Sequence, residues 1–280
     1  MHRRPFLLAA GASVLSFGPG RRARAQAGAA KGTGSALPNS VLQKWAEMAG
    51  AGAGLKVAYE PSSGYAALDQ IKARAIDFAV VDYAKRSALL RDNKLIQFPT
   101  LLTATVPFVN VPGVADNQLR FTGEVLAEIY LGKITKWNDA KIKALNSGVN
   151  LPATNIVPVH RTDTCGSNLL FTTYLSRTSE AWLAGPRAGS QVQWPANVGA
   201  SAEGQEGLGA KVKATPGAIG YGGTTALKAS GLPSVLLKNA AGEFVRAEPE
   251  AFAKAAAAED WSAPGFSVDL VEEHAAGAWP

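Results

Sequence analysis

From residue 55 to residue 223 the chain alternates short β-rich runs with stretches of helical spacing, and this alternation restricts the fold more than any other feature. "LKVAYE" (55–60), "IDFAVVD" (76–82), "TATVPFVNVPG" (103–113), "NIVPVH" (155–160) and "AIGYGG" (218–223) read as strands. Between them, "GYAALDQIKARA" (64–75) sets Leu68, Ile71 and Ala75 at helical intervals. "GEVLAEIYLGK" (123–133) places Val125, Leu126, Ile129 and Tyr130 on one helical face. Strands that alternate with helices point to an α/β architecture. The earlier "GAAKGTG" (28–34) reads as a flexible lead-in. With 280 residues and 47% hydrophobic content, the chain can bury one large core or two small ones. No internal repeat and no later run of about twenty apolar residues is present.

The first residues follow different rules. "MHRRPFLLAAGASVLSFGPGRRARAQA" has a positive start, a short apolar stretch and an A-x-A ending at Ala25. This is the pattern of a secretory signal over residues 1–25, too short for a membrane span. Its "RRPFL" is compatible with either a twin-arginine or a Sec signal, and no cysteine near the cleavage point suggests a lipid anchor. The net charge of the chain is +6, but five arginines and no acid lie in this leader, which leaves +1 for the rest. That balance does not support a nucleic-acid surface, which needs a clustered basic patch. A single cysteine, Cys165, rules out an internal disulfide. The six tryptophans are expected in core and interface packing rather than on a sugar platform.

Three loops share a design. "GTGSALPNS" (32–40), "EPSSG" (60–64) and "RTDTCGS" (161–167) are Ser- and Gly-rich turns that each feed a helix. Unpaired N–H groups and the positive dipole end at a helix start suit an anion. None of the loops contains G-x-x-x-x-G-K-[ST], so a nucleotide P-loop is excluded. Asp82 ends the apolar "FAVV" run, at the carboxyl end of a strand where ligands of open α/β sheets collect. A carboxylate there repels an anion unless the anion donates a proton to it.

Cys165 leaves two readings open. Beside Arg161 and a helix start it has the setting of an activated thiol, with His160 as a neighbouring base. Alternatively, its loop only cradles an anion. No arginine lies six residues after Cys165, so the C-x₅-R phosphatase loop is absent. Three histidines and one cysteine give little basis for a zinc cluster.

"KVAYEPSSGYAALDQI", "IYLGKITKWND", "VHRTDTCGSNLLFTTYLS", "GAIGY" and "DWSAPGFSVDLVEEHAAGAWP" occur in order, and the chain resembles the PstS family of phosphate-binding proteins of ABC transporters. The resemblance implies a two-lobed periplasmic-binding-protein fold of type II with a hinge between lobes. Lobe one would comprise 29–104 plus 225–280, and lobe two 105–224. It implies that Ser62 donates a hydroxyl and that Asp82 accepts the proton of hydrogen phosphate. Arg161 would pair with phosphate and be held by Asp163, while Gly166 and Ser167 supply backbone and hydroxyl donors. The family's threonine–phenylalanine pair falls on Ala36 and Leu37, which keeps only a backbone N–H contact, with Ser35 near enough to substitute. The family serine of the arginine loop falls on Cys165, a poorer hydrogen-bonding group. The resemblance also implies a further strand and helices after "AWP", where this chain stops at Pro280. A shortened paralogue, a fragment and a frameshifted gene are the three readings of that stop.

The expectation is therefore an exported, monomeric periplasmic binding protein without cofactor or metal. Its partners would be inorganic phosphate and ABC permease subunits. A receptor or sensor for another oxyanion and a cysteine-dependent hydrolase are the alternatives.

Overall fold

Strand β1 (Ala30–Gly34) runs through the middle of the first sheet, so the expected flexible lead-in is corrected there. After helix α1 (Asn39–Ala53) come β2 (Val57–Pro61), α2 (Gly64–Lys72) and β3 (Phe78–Val80). The sheet order is β2–β1–β3, all parallel, with Gly34 opposite both Pro61 and Val80. The sequence "AKGTG" has little strand propensity of its own, and neighbours on both sides impose the extended form. Gly34 has φ +142, and a Cβ there would lie 1.9 Å from the Val80 carbonyl oxygen. Glycine at this place permits a close strand approach, where in isolation it reads as freedom. The protein is described from a computed structural model covering residues 29–280 except 83, 86, 197, 263–265, 267, 269, 272 and 273. The expected leader, residues 1–25, lies outside the described residues.

Helix α3 (Ser87–Asp92) leads by an extended segment to β4 (Thr105–Asn110). There follow β5 (Arg120–Phe121), α4 (Gly123–Tyr130), α5 (Ala140–Leu145), β6 (Val157–Arg161), α6 (Gly166–Thr178) and α7 (Glu180–Ala184). Next are β7 (Ala200–Ala202), α8 (Gly204–Ala214), β8 (Ala218–Gly223) and α9 (Thr224–Ser230). The described elements end with β9 (Leu236–Lys238), β10 (Phe244–Val245) and α10 (Pro249–Ala257). A four-stranded sheet in the order β4–β8–β6–β7 forms the second body, with β4 antiparallel to β8 and the other pairs parallel. All four face residues foreseen in α4 are buried, and the Thr122 hydroxyl caps this helix on the Val125 N–H at 3.2 Å.

The described residues of the stretch expected with lobe one, from α9 through β9, β10 and α10 to Trp279, pack on the second body instead. Strand β9 pairs with β5, and Val235, Leu237, Ala251 and Trp279 share one core with Phe121 and Trp137. Period-2 and period-3.6 patterns identify the elements but not the sheet they join. The tryptophans divide as well. Trp137 and Trp182 are fully buried, whereas Trp45 on α1 is 43% exposed, which corrects its placement in packing. Among the described residues, no helix is long and apolar enough to cross a membrane.

Candidate functional site

A cleft of about 570 Å³ lies where the two bodies meet, and it is lined by Ser35, Ala36, Leu37, Ser62, Asp82, Arg161, Asp163, Cys165, Gly166 and Ser167. The residues named for an anion site therefore reach one place, whereas His160, the candidate base, is not among those that line it. The sequence delivers them there because β1, β2 and β3 are parallel. Their carboxyl ends emerge side by side, carrying the loop at Ser35, the loop at Ser62 and Asp82. From the other side, β6 ends on Arg161 and feeds α6 through "TDTC".

The Ser35 hydroxyl is the hub of the first side. It accepts the Leu37 N–H at 3.1 Å and is hydrogen-bonded to the Asp82 carboxylate. The Tyr59 hydroxyl donates to the Ser35 carbonyl at 2.6 Å and so fixes the loop from behind. Ser62 accepts from the Thr33 hydroxyl at 2.8 Å, and Ser63 caps α2 on the Ala66 N–H. The Asp82 carboxylate reaches across the cleft to the Gly166 N–H at the start of α6. A Cβ at position 166 would stand 2.4 Å from the Asp82 Cβ, so only glycine allows this approach. Two donors expected to face an anion, the Leu37 and Gly166 N–H groups, are thus partnered within the protein. Burial pushes the Asp82 carboxyl above its ordinary value. The Ser35 hydroxyl, the Gly166 N–H and the charges of Arg161 and Lys85 pull it partway back.

Arg161 is held by Asp163, as the resemblance implies. Its side chain is only 10% exposed, and Asp163 takes its Nη2 and Nε–H groups, the latter at 2.9 Å. Burial opposes the guanidinium charge, but the Asp163 hydrogen bonds outweigh it and the Arg161 pKa rises. Burial would likewise raise Asp163, yet Arg161 and the Gly204 N–H at 3.0 Å bring its pKa below the ordinary value. The fork of Arg161 is thereby fixed by a carboxylate, while two aromatics hold its backbone. The Arg161 N–H donates to the Tyr221 hydroxyl at 3.3 Å, and the Trp194 indole N–H donates to the Arg161 carbonyl at 3.2 Å. Sequence reading missed Tyr221, Trp194 and Asn168. Tyr221 donates to the Asn168 side-chain oxygen at 2.5 Å, and the Asn168 amide donates to the Asp163 carbonyl at 3.0 Å. The position of Tyr221 in the buried strand "AIGYGG" was the one available signal.

Cys165 is the N-cap of α6, its sulfur accepting the Asn168 N–H at 3.4 Å. Burial pushes the thiol pKa up, against the lowering effect of the Arg161 charge, so the activated-thiol setting is not realised. His160 stacks on Trp194 with ring centroids 4.7 Å apart, and burial lowers its pKa. Ser167 is 1% exposed, and its hydroxyl has no hydrogen-bond partner among the described residues although it lines the cleft. A buried hydroxyl without a partner is uncommon and marks a place where a ligand acceptor fits. The cleft therefore offers a fixed guanidinium, hydroxyls and a helix start, with the Asp82 carboxylate set among them as a hydrogen-bond acceptor.

A PBP superfamily domain matches residues 20–276. The phosphate-binding protein PstS of Pasteurella multocida is 40% identical over 256 residues, covering 91% of this chain and 74% of that protein. PstS of Haemophilus influenzae is 36% identical over 257 residues, covering 91% of this chain and 76% of that protein. Among solved structures, a high-affinity periplasmic phosphate-binding protein (PfluDING) bound with phosphate superposes with a TM-score of 0.62 at 20% identity. It covers 90% of this chain and 76% of that one, and the likeness is one of fold.

Proposed function

We propose, for a chain that belongs to the PstS phosphate-binding protein family within the PBP superfamily, that it binds inorganic phosphate in the cleft and presents it to the permease subunits of an ABC transporter. The observation that carries this reading is the meeting of Asp82, Arg161 and the α6 N-terminus over one cleft. A tetrahedral oxyanion takes charge-assisted hydrogen bonds from the free edge of the Arg161 fork and a neutral one from the Ser167 hydroxyl. Asp82 is the discriminating group. Hydrogen phosphate can donate its proton to that carboxylate, whereas sulfate would bring two acceptors face to face. Ser35, Ala36, Leu37, Ser62 and Cys165 complete the wall, with Ser35 taking the part of the missing threonine hydroxyl at position 36.

In this reading the first lobe spans about residues 29–104 and the second begins at β4. The closing motion between them is of the hinge type. The raised thiol pKa of Cys165 supports binding without covalent chemistry, so the cysteine-dependent hydrolase is disfavoured. Export to the periplasm is read from the leader pattern of residues 1–25 and is in keeping with the family, and in this reading the chain acts as a monomer. Calorimetric titration with inorganic phosphate tests the proposal: one site per chain is expected, lost in Arg161→Ala. Absence of heat in the unaltered chain, or wild-type binding by Arg161→Ala, overturns it.

A further inference from the structure

A contact between the two bodies stands at the lip of the cleft, away from the groups that face the anion. Tyr65 opens α2 on the first body and lines the cleft. Its hydroxyl lies 2.9 Å from the hydroxyl of Ser190, 125 residues further along on the second body, and either oxygen can donate. Behind the ring, the Lys85 ammonium sits 5.3 Å from the ring centroid. Lys85 is itself fixed through its backbone, since Gln97 accepts its N–H at 2.9 Å and donates to its carbonyl at 3.2 Å. On the far side, the Ser190 carbonyl accepts the Cys165 N–H at 3.0 Å and the Asn168 amide at 3.2 Å. The residue touched by Tyr65 is therefore bonded directly to the loop that starts α6 and carries the arginine.

We propose that Tyr65 and Ser190 form a closing latch, with Lys85 as the backing that orients the Tyr65 ring, and that this latch sets how long the cleft stays shut on its anion. The proposal rests on the phosphate-binding reading above. Its physics is that of a linked equilibrium: a contact made only in the closed form raises the closed population and lowers the apparent dissociation constant. Because neither residue needs to touch the anion, the latch acts on residence time and leaves the choice of anion to Asp82. The tie from Ser190 to the Cys165 N–H gives the contact a route to the anion loop through two hydrogen bonds.

The test is a double-mutant cycle on the full chain with inorganic phosphate as probe. Tyr65→Phe and Ser190→Ala should each raise the phosphate dissociation rate about fivefold, the range of one ordinary hydrogen bond. The double variant should be no worse than either single one, because both remove the same bond. The ratio of sulfate to phosphate affinity should stay as in the unaltered chain. Unchanged rates in the single variants, or effects that multiply in the double, overturn the latch. A crosslink separates this failure from failure of the functional reading. Tyr65→Cys with Ser190→Cys, in a Cys165→Ser chain, should be bridged by a short bifunctional thiol reagent, which spans the gap left by the lost tyrosine ring, whether or not phosphate is bound, and phosphate should speed it. No crosslink in either condition overturns the latch, whereas a crosslink in a chain that binds no phosphate overturns only the functional reading.

Discussion

Helix α1 and helix α4 are both amphipathic in sequence, yet none of the fifteen residues of α1 is buried and six of the eight in α4 are. Val41, Trp45 and Met48 of α1 stand exposed, while Val125, Leu126, Ile129 and Tyr130 of α4 vanish into the second core. The same contrast holds for the bodies that carry them. Among the described residues before 104, the buried hydrophobic ones in the first body are Tyr59, Ala67 and Leu90. The second holds two fully buried tryptophans and an aromatic cluster in which Tyr130 touches Phe171, Trp194 and Tyr221. An amphipathic pattern shows that a helix has an apolar side, but burial depends on what packs against it. The cleft thus joins a well-packed half, which fixes Arg161, to a sparse half, which brings Asp82 and the serine loops.

The sharpest way to break this contrast is stability. Trp137→Ala should lower unfolding free energy by about 3–5 kcal/mol, as expected for a large side chain removed from a closed core. Trp45→Ala should change it by no more than about 0.5 kcal/mol. Urea titrations followed by circular dichroism would check both, and equal losses would refute the contrast. Next in size is Arg161→Lys, which keeps the charge but loses the planar fork. Phosphate binding should weaken by roughly tenfold or more, given about 1.5–3 kcal/mol for charged hydrogen bonds. Asp163→Ala should approach that loss by freeing the guanidinium, with calorimetry as the measurement.

A third prediction sets Asp82 and Asp163 against each other. Asp82 has a raised pKa, so between about 3.8 and its folded value the folded chain holds more protons than the unfolded one. Stability without ligand should therefore fall as pH rises through that window, and Asp82→Asn should remove the slope. Asp163 has a lowered pKa, so its contribution is present above about 3.8 and is lost as pH falls through its folded value. Denaturant midpoints collected from neutral to acid pH would show both signs, and a common sign would contradict the assignment. The smallest change expected at the cleft belongs to Cys165→Ser. A hydroxyl caps α6 better than the sulfur, so stability should rise by about 1 kcal/mol in the same urea titration. Phosphate affinity should hold or improve by a similar amount in calorimetry.

Much of the site was legible because its parts are local. The serine loops, Asp82 at a strand end and the run from Arg161 to Ser167 each announce themselves within a few residues, and the parallel order of β1–β3 brings their ends together. What was not legible is non-local. Tyr221 and Asn168 support Arg161 from 60 and 7 positions away, and nothing in their own segments signals that task. Strand β1 was hidden by its glycines, since only β2 and β3 on either side make it extended. The packing of β9 and α10 on the second core was hidden for the same reason, because periodicity does not name a partner. Cys165 was ambiguous in sequence because its pKa depends on burial, which only the fold supplies.

The claim at the centre of this account is that Asp82 reads the proton on the anion, and paired titrations with phosphate and sulfate at neutral pH test it most directly. The unaltered chain should bind phosphate more tightly than sulfate by roughly a thousandfold or more, the cost of leaving two buried acceptors facing each other. In Asp82→Asn the gap should shrink, since an amide can donate to either anion. Sulfate bound as tightly as phosphate by the unaltered chain would contradict the account.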